Sequence, residues 1–129
     1  MKPLISLQLR DNRRVFWPGE TLECFYQIDA VEPAEIQAVE ASALWYTEGK
    51  GEEDLGVHAF QRRVPADESP DEMRSMAALR STLPASPLSY SGVILKLRWC
   101  VRVRVFLDKG REVTAEIPFQ LGDVPAAAE

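Results

Sequence analysis

The stretch that decides the fold is residues 93–107, VILKLRWCVRVRVFL. Apolar side chains occupy every odd-numbered position from Val93 to Leu107, and charged side chains occupy most of the even-numbered ones. Such alternation is typical of a β-strand with one face in a core and the other in water. We therefore predict a long central strand whose odd-numbered row forms the middle of the core.

The segment that follows, residues 111–121, repeats the same pattern and predicts a hairpin partner. Its apolar residues are again odd-numbered. If both apolar rows face the core, the numbers of two residues that stand opposite each other must add to an even number. That requires an odd number of loop residues, and the three residues Asp-Lys-Gly at 108–110 satisfy it, with Gly110 suited to a left-handed position. The register then places Arg104 opposite Thr114 and Arg102 opposite Glu116.

Five further segments also alternate, and each is predicted to be a strand. They begin near residues 5, 22, 37, 55 and 75, although the helix-forming residues in 33–44 leave a short helix open as an alternative for the third. Residues 65–74 carry two prolines and four acids and are predicted to be a solvated loop. Seven strands with tight turns in about 120 residues indicate an immunoglobulin-like antiparallel β-sandwich. We predict one all-β domain over residues 1–122 and a flexible C-terminal tail over residues 123–129.

The composition limits the classes of partner and compartment. The 129 residues carry a formal net charge of −5, whereas dedicated nucleic-acid binders usually have a basic excess. The N-terminal segment lacks the unbroken apolar centre of a secretory signal, and no run of residues is long and apolar enough to span a membrane. We therefore expect a soluble, cytoplasmic protein that has no nucleic-acid partner and no membrane span.

The residues that usually carry chemistry are sparse. Cys24 falls on the core side of its strand and Cys100 on the outer side, which predicts two free thiols and no disulfide. His58 is the only histidine, no nucleophile elbow surrounds a serine, and the acidic segments lack the ligand spacing of an EF-hand. We expect no enzyme, no cofactor and no metal site.

The even-numbered row of the long strand is the candidate binding site for a partner. Its members are Lys96, Arg98, Arg102, Arg104 and Phe106. One interpretation is a solvated sheet face whose charges are partly neutralised by Glu112 and Glu116. The other is a surface that recognises an acidic or phosphorylated peptide, because guanidinium groups bind oxyanions in a bidentate manner. Since Arg102 is predicted to face Glu116, Arg98 and Arg104 are expected to be the freer cations.

Three segments resemble the arrestin-like family. They are VFWPGETLECFYQI at 15–28, LPASPLSYSGVILKLRWCVRVRV at 83–105 and EIPFQLG at 116–122. The resemblance implies an immunoglobulin-like sandwich that works without catalysis, as an adaptor or cargo-binding scaffold. Arrestins typically carry two such sandwiches, and this sequence has one and lacks a Pro-Pro-x-Tyr motif. Receptor binding, phosphate sensing and ubiquitin-ligase recruitment are therefore not implied.

Two other modes of binding remain open at this point. A small-ligand or polyanion carrier would use a pocket between the sheets or the arginine row. Self-association would use unpaired edge strands, which are prone to accept another strand.

Overall fold

The computed structural model describes residues 3–49, 51, 53–92 and 95–122, and within them the chain forms two packed β-sheets. The elements of regular structure in these ranges are nine strands, one short α-helix and three turns of 3₁₀ helix, at Arg10–Asn12, Pro33–Glu35 and Asp108–Gly110. The strands and the α-helix are numbered in chain order. They are β1 Leu4–Leu9, β2 Val15–Phe16, β3 Thr21–Asp29, β4 Ile36–Gly49, β5 Leu55–Arg63, α1 Pro70–Arg74, β6 Ala77–Thr82, β7 Tyr90–Ser91, β8 Leu95–Leu107 and β9 Glu112–Leu121. The predicted tail, residues 123–129, lies outside the described residues.

The strands are divided unequally between the two sheets. The small sheet has the order β1-β3-β6, and the large sheet has the order β2-β9-β8-β4-β5, with β7 paired to β8 beyond the end of β9. All pairings are antiparallel except that between β2 and β9. The prediction of an all-β, immunoglobulin-like sandwich is confirmed. The two strands beyond the predicted seven, β2 and β7, are each two residues long and too short to show alternation.

The core is built on the odd-numbered row of β8, as predicted, over most of its length. Trp99, Val101, Val103, Val105 and Leu107 are buried. Each large apolar side chain buried in this way contributes roughly 1.5–3 kcal/mol to stability. At the start of the strand the prediction is wrong, because Leu95 is 41% exposed. There β8 extends past β9, so on that side only the two-residue β7 pairs with it, while on the other side Gly49 of β4 stands opposite Leu95. Val93 lies outside the described residues.

The hairpin between β8 and β9 has the predicted register. Arg102 faces Glu116 and Arg104 faces Thr114. The three-residue connection uses left-handed backbone conformations at Lys109 and Gly110, with φ of 60° and 73°. The loop length therefore set the register, as the parity argument requires.

The secondary structure of two segments was uncertain from the sequence or differs from the prediction. Residues 36–49 form a continuous strand, preceded by one turn of 3₁₀ helix at Pro33–Glu35. The prediction that residues 65–74 are entirely loop is wrong, because they include α1. Ser69 caps this helix: its Oγ accepts from the Glu72 N–H at 3.2 Å, and its own N–H donates to Glu72 Oε1 at 3.1 Å. This capping box makes a helix of five residues possible among so many acids.

The proline-containing segment before β8, residues 84–89, which we call the corner, forms hydrogen bonds with β8 and with β9. The Trp99 indole donates to the carbonyl oxygen of Pro87 at 2.8 Å. Ser89 is buried; its N–H donates to the Leu121 carbonyl, and its Oγ accepts from the Leu121 N–H, both at 2.8 Å. The corner therefore holds the ends of β8 and β9 together.

Candidate functional site

All five residues of the candidate site lie on one surface. Lys96, Arg98, Arg102, Arg104 and Phe106 alternate along β8 with the buried core row, so they point to the outer face of the large sheet. We call this surface the β8 face; it consists of these five residues and the outward residues of β4, β5 and β9 beside them. The structure brings all five predicted residues together.

Each arginine of β8 on this face forms an ion pair. Arg98 Nε lies 2.9 Å from Glu48 Oε1, Arg102 Nη2 lies 3.1 Å from Glu116 Oε2, and Arg104 Nε lies 2.6 Å from Glu112 Oε1. Arg98 and Arg104 are therefore paired like Arg102, and they are freer only in exposure: their side chains are 47% and 42% exposed, against 28% for Arg102. The partner of Arg98 comes from β4, whose place beside β8 the sequence pattern does not reveal. The partner of Arg104 is diagonal to it on β9 rather than directly opposite.

The fourth cation of the row, Lys96, is half-buried at the other end of the face. It stands opposite Glu48 of β4 on one side and Ser91 of β7 on the other. Glu48 therefore has two cations as neighbours: it stands opposite Lys96 in the register, and it forms the ion pair with Arg98.

The aromatic residue of the row lies between two guanidinium groups. The Cζ atom of Arg104 is 5.0 Å from the ring centroid of Phe106, and that of Arg62 on β5 is 6.0 Å away. Both distances are within the range of a cation–π interaction. Arg62 is held by Glu40 of β4, and Arg104 by Glu112.

The ion pair between Arg104 and Glu112 also changes the pKa values of its two members. The hydrogen bond from Arg104 holds the pKa of Glu112 below its usual range, and the same contact raises the pKa of Arg104. Both groups therefore remain charged at any pH near neutrality.

Arg62 belongs to the site, and the sequence pattern missed it. A β-bulge in β5 changes which residues of that strand face outward: Ala43 faces Ala59, whereas Leu44 faces Val57. Simple alternation puts Leu55 and Arg62 on opposite faces of the strand, whereas in the structure both lie on the outer face.

The charges of the face nearly cancel. Along β4, β5, β8 and β9 the outward positions hold five basic residues (Arg62, Lys96, Arg98, Arg102, Arg104) and four carboxylates (Glu40, Glu48, Glu112, Glu116). Basic and acidic side chains therefore lie next to one another on this face, and it is not a positively charged stripe. Such a surface gives little support to the polyanion-carrier alternative.

Both cysteines are free, as predicted, but Cys100 is not exposed. It lies on the outer side of β8 between Leu44 and Pro118, and it is only 2% exposed. Its thiol donates to Glu116 Oε2 at 3.2 Å. Burial, with a smaller contribution from Glu116, raises the pKa of the Cys100 thiol to about 12, and burial raises that of Cys24 to about 11. Both are therefore thiols rather than thiolates at neutral pH, which makes them poor nucleophiles.

His58 has a structural environment. Its Nε2 lies 2.8 Å from the carbonyl oxygen of Thr82, and its ring meets Trp99 edge-on with 6.2 Å between centroids. The histidine thus links the edge of the large sheet to β6 of the small sheet. In the described ranges no three His, Cys, Asp or Glu side chains come together as a metal site.

Two cavities bear on the small-ligand alternative. One, of about 160 Å³, lies where β7 and β9 meet β8. Another, of about 410 Å³, lies at one end of the sandwich and is lined by Ala30, Val31, Glu32, Glu35 and Arg74. Pockets for small molecules are usually about 300–1,000 Å³ and mostly apolar. The first is too small for such a pocket, and the second has too many charged groups in its lining.

The described helices are all too short to cross a membrane.

Comparison with known proteins identifies the fold. The crystal structure of Spo0M, a sporulation control protein from Bacillus subtilis, superposes with a TM-score of 0.62 at 10% sequence identity. The match covers 94% of this chain and 49% of Spo0M, so the chain spans about half the length of that protein. No protein-family model and no curated protein matches the sequence. Since Spo0M has an arrestin-like fold, the predicted arrestin resemblance is confirmed at the level of the fold.

Proposed function

We propose that this chain is a non-catalytic module that binds another protein through the β8 face. The observation that carries the proposal is Phe106, which lies on an open sheet face between Arg62 and Arg104. Aromatic residues and arginine are the side chains most enriched at protein interfaces. The arrestin-like fold is compatible with such a role because it provides a rigid sheet to carry the face.

The ion pairs prepare the arginines for binding. A guanidinium group has five N–H donors, and the contacts to Glu48 at 2.9 Å and to Glu112 at 2.6 Å are made by Nε of Arg98 and of Arg104. Both arginine side chains remain more than 40% exposed, so their other donors are accessible to a partner. Because the glutamates already restrict these side chains, less conformational entropy is lost on binding.

The chemistry of the face indicates the kind of partner. Exposed guanidinium donors beside an aromatic ring suit a protein segment with carboxylates flanking an apolar side chain. The nearly balanced charges favour such a segment over a polyphosphate or a nucleic acid. We place the protein in the cytoplasm, because two free cysteines suit a reducing compartment.

The test compares the wild type with a variant of the face. Immobilised Arg98→Gln/Arg104→Gln protein should lose a protein that the wild type retains from a lysate of the source cells. Glutamine is preferable to glutamate here, because a reversed charge would stand against Glu48 or Glu112. Titration of the purified partner should show binding weakened at least tenfold, since a charge-assisted hydrogen bond contributes about 1.5–3 kcal/mol.

The matched control is Arg80→Gln. Arg80 is an exposed arginine on β6, opposite Glu23. It belongs to the small sheet, whereas the β8 face belongs to the large one. This variant should bind as the wild type does, and thermal melts should show that all three proteins are folded. Equal affinity of the double variant and the wild type would exclude the β8 face as the binding surface.

A further inference from the structure

The last strand of the large sheet, β5, is an open edge. It pairs with β4 on one side, and in the described part of the chain no strand pairs with its other side. It is nine residues long, and Leu55, Val57 and Phe60 are each more than half exposed. A long edge with exposed apolar residues readily pairs with another strand.

The bulge in β5 arranges these apolar residues in one row. Before the bulge, Leu55 and Val57 stand opposite Tyr46 and Leu44; after it, Phe60 stands opposite Ser42. All three positions of β4 are even-numbered and lie on the outer side of the sheet. The extra residue, His58, turns inward toward Trp99.

The inward positions of β5 confirm this assignment. A Cβ atom on Gly56 would lie 2.4 Å from the indole of Trp45, and Gln61 accepts a 2.6 Å hydrogen bond from Tyr26 of the small sheet. The outward row is therefore Leu55, Val57, Phe60 and Arg62.

Charges of opposite sign flank the apolar part of this row. Glu53 and Asp54 precede it and are exposed. Arg62 ends it, and its side chain is 52% exposed although it pairs with Glu40. Along the edge, the order is therefore acidic, apolar and basic.

When a second copy of β5 runs in the opposite direction beside the first, the acidic end of each strand meets the basic end of the other, and the apolar parts meet each other. In an antiparallel pair related by a two-fold axis, a register that puts Leu55 opposite Phe60 of the second copy also puts Glu53 opposite Arg62. Both contacts occur twice. The parity change at the bulge is what allows Leu55 and Phe60 to lie on the same face of the joined sheet.

We propose that β5 pairs antiparallel with β5 of a second copy, so that two large sheets become one continuous sheet across a symmetric dimer. Main-chain hydrogen bonds join the edges on either side of the two bulges, which meet at the two-fold axis, and the outward row supplies apolar and charged contacts. The dimer shares Arg62 with the β8 face, but its test is separate from that of the partner proposed above, because the arginines replaced there, Arg98 and Arg104, lie two strands away on β8.

Sedimentation equilibrium of the full chain tests the proposal. The wild type should show a concentration-dependent mass that approaches twice 14.5 kDa. Leu55→Lys should weaken dimerisation at least tenfold, because it places a charge opposite Phe60. Val15→Lys is the matched control: Val15 is an exposed apolar residue of β2, the edge strand at the other side of the sheet, and dimerisation should be unchanged.

A charge exchange tests the register. Glu53→Arg should weaken the dimer by setting like charges against each other, and Glu53→Arg combined with Arg62→Gln should recover much of the lost affinity by removing that repulsion. Glutamine is used at position 62 because a glutamate there would stand against Glu40. Thermal melts check that each variant folds. A wild type that stays monomeric at all accessible concentrations would overturn the proposal. A dimer that is insensitive to Leu55→Lys, or a double variant without rescue, would overturn the interface or its register.

Discussion

The indole N–H of Trp99 donates to the Pro87 carbonyl oxygen at 2.8 Å, so one side chain of the core row also secures the corner that precedes its strand. Trp99 is only 1% exposed, and its ring packs against Phe119 with 5.7 Å between centroids. Trp99→Phe removes both the donor and part of the packed volume. We expect a loss of about 2–4 kcal/mol in the free energy of unfolding, measured by urea denaturation.

Trp17→Phe is the control for this variant. Trp17 is 50% exposed, and we expect its replacement to change stability by no more than about 0.5 kcal/mol. A Trp99→Phe variant as stable as the control would show that the corner is held mainly by Ser89 and Leu121.

The two thiols should be unreactive in the folded protein. Cys24 and Cys100 are buried, and their pKa values are raised to about 11 and about 12. At pH 8 an aromatic disulfide reagent should therefore modify almost none of the native protein, and two thiols per chain in denaturant without prior reduction. Rapid modification of one thiol in the native state would contradict the burial of that residue.

Stability should fall in alkaline solution. A thiol in the unfolded chain ionises with a pKa of about 8.5, whereas Cys100 in the folded chain retains its proton up to a pKa of about 12. Between these values the folded state binds more protons, so each buried thiol lowers the free energy of unfolding by about 1.4 kcal/mol per pH unit. Below pH 8 neither thiol contributes to the slope.

The Cys100→Ala variant isolates this effect. Its free energy of unfolding should decline less steeply with pH than that of the wild type above pH 9, as measured by urea titrations at several pH values. Parallel slopes would indicate that Cys100 ionises normally in the folded protein.

Arg63 should matter more for stability than the arginines of the β8 face. Its side chain is only 10% exposed; it contacts both carboxylate oxygens of Glu68 and donates to the Glu72 carbonyl oxygen at 2.7 Å. Arg63→Ala leaves these acceptors without a donor and should cost about 3 kcal/mol. Arg104→Ala, at a far more exposed pair, should cost much less. Chemical denaturation of both variants gives the comparison, and equal losses would contradict it.

The fold was predictable because most of its strands have one wet face. Alternation located β8 and β9, and parity with the three-residue loop gave the facing pair Arg102 and Glu116. The short helix α1 was not predicted, because the Ser69–Glu72 capping box stabilises it and the periodicity of apolar residues gives no sign of a capping box.

The charge state of the site was less predictable, because it depends on which strands become neighbours. Glu48 reaches Arg98 only because β4 lies beside β8, a long-range pairing that neither segment reveals alone. Cys100 was placed on the correct face, yet its burial depends on Leu44 and Pro118 from the two flanking strands. The bulge that turns Arg62 toward Phe106 likewise leaves no mark in the alternation of β5.

The parallel pairing of β2 with β9 has a consequence for biosynthesis. Phe16 stands beside Leu121, so β2 cannot complete its pairing until β9, the last described strand, has left the ribosome. Until β9 emerges, the core row of β8 has no partner on that side and Phe16 has no neighbour in Phe119, whose ring it meets edge-on. The nascent chain thus carries uncovered apolar strands until residues 112–121 have emerged. We expect ribosome-stalled chains ending before residue 112 to be digested by protease, and chains that expose residue 122 beyond the exit tunnel to resist it.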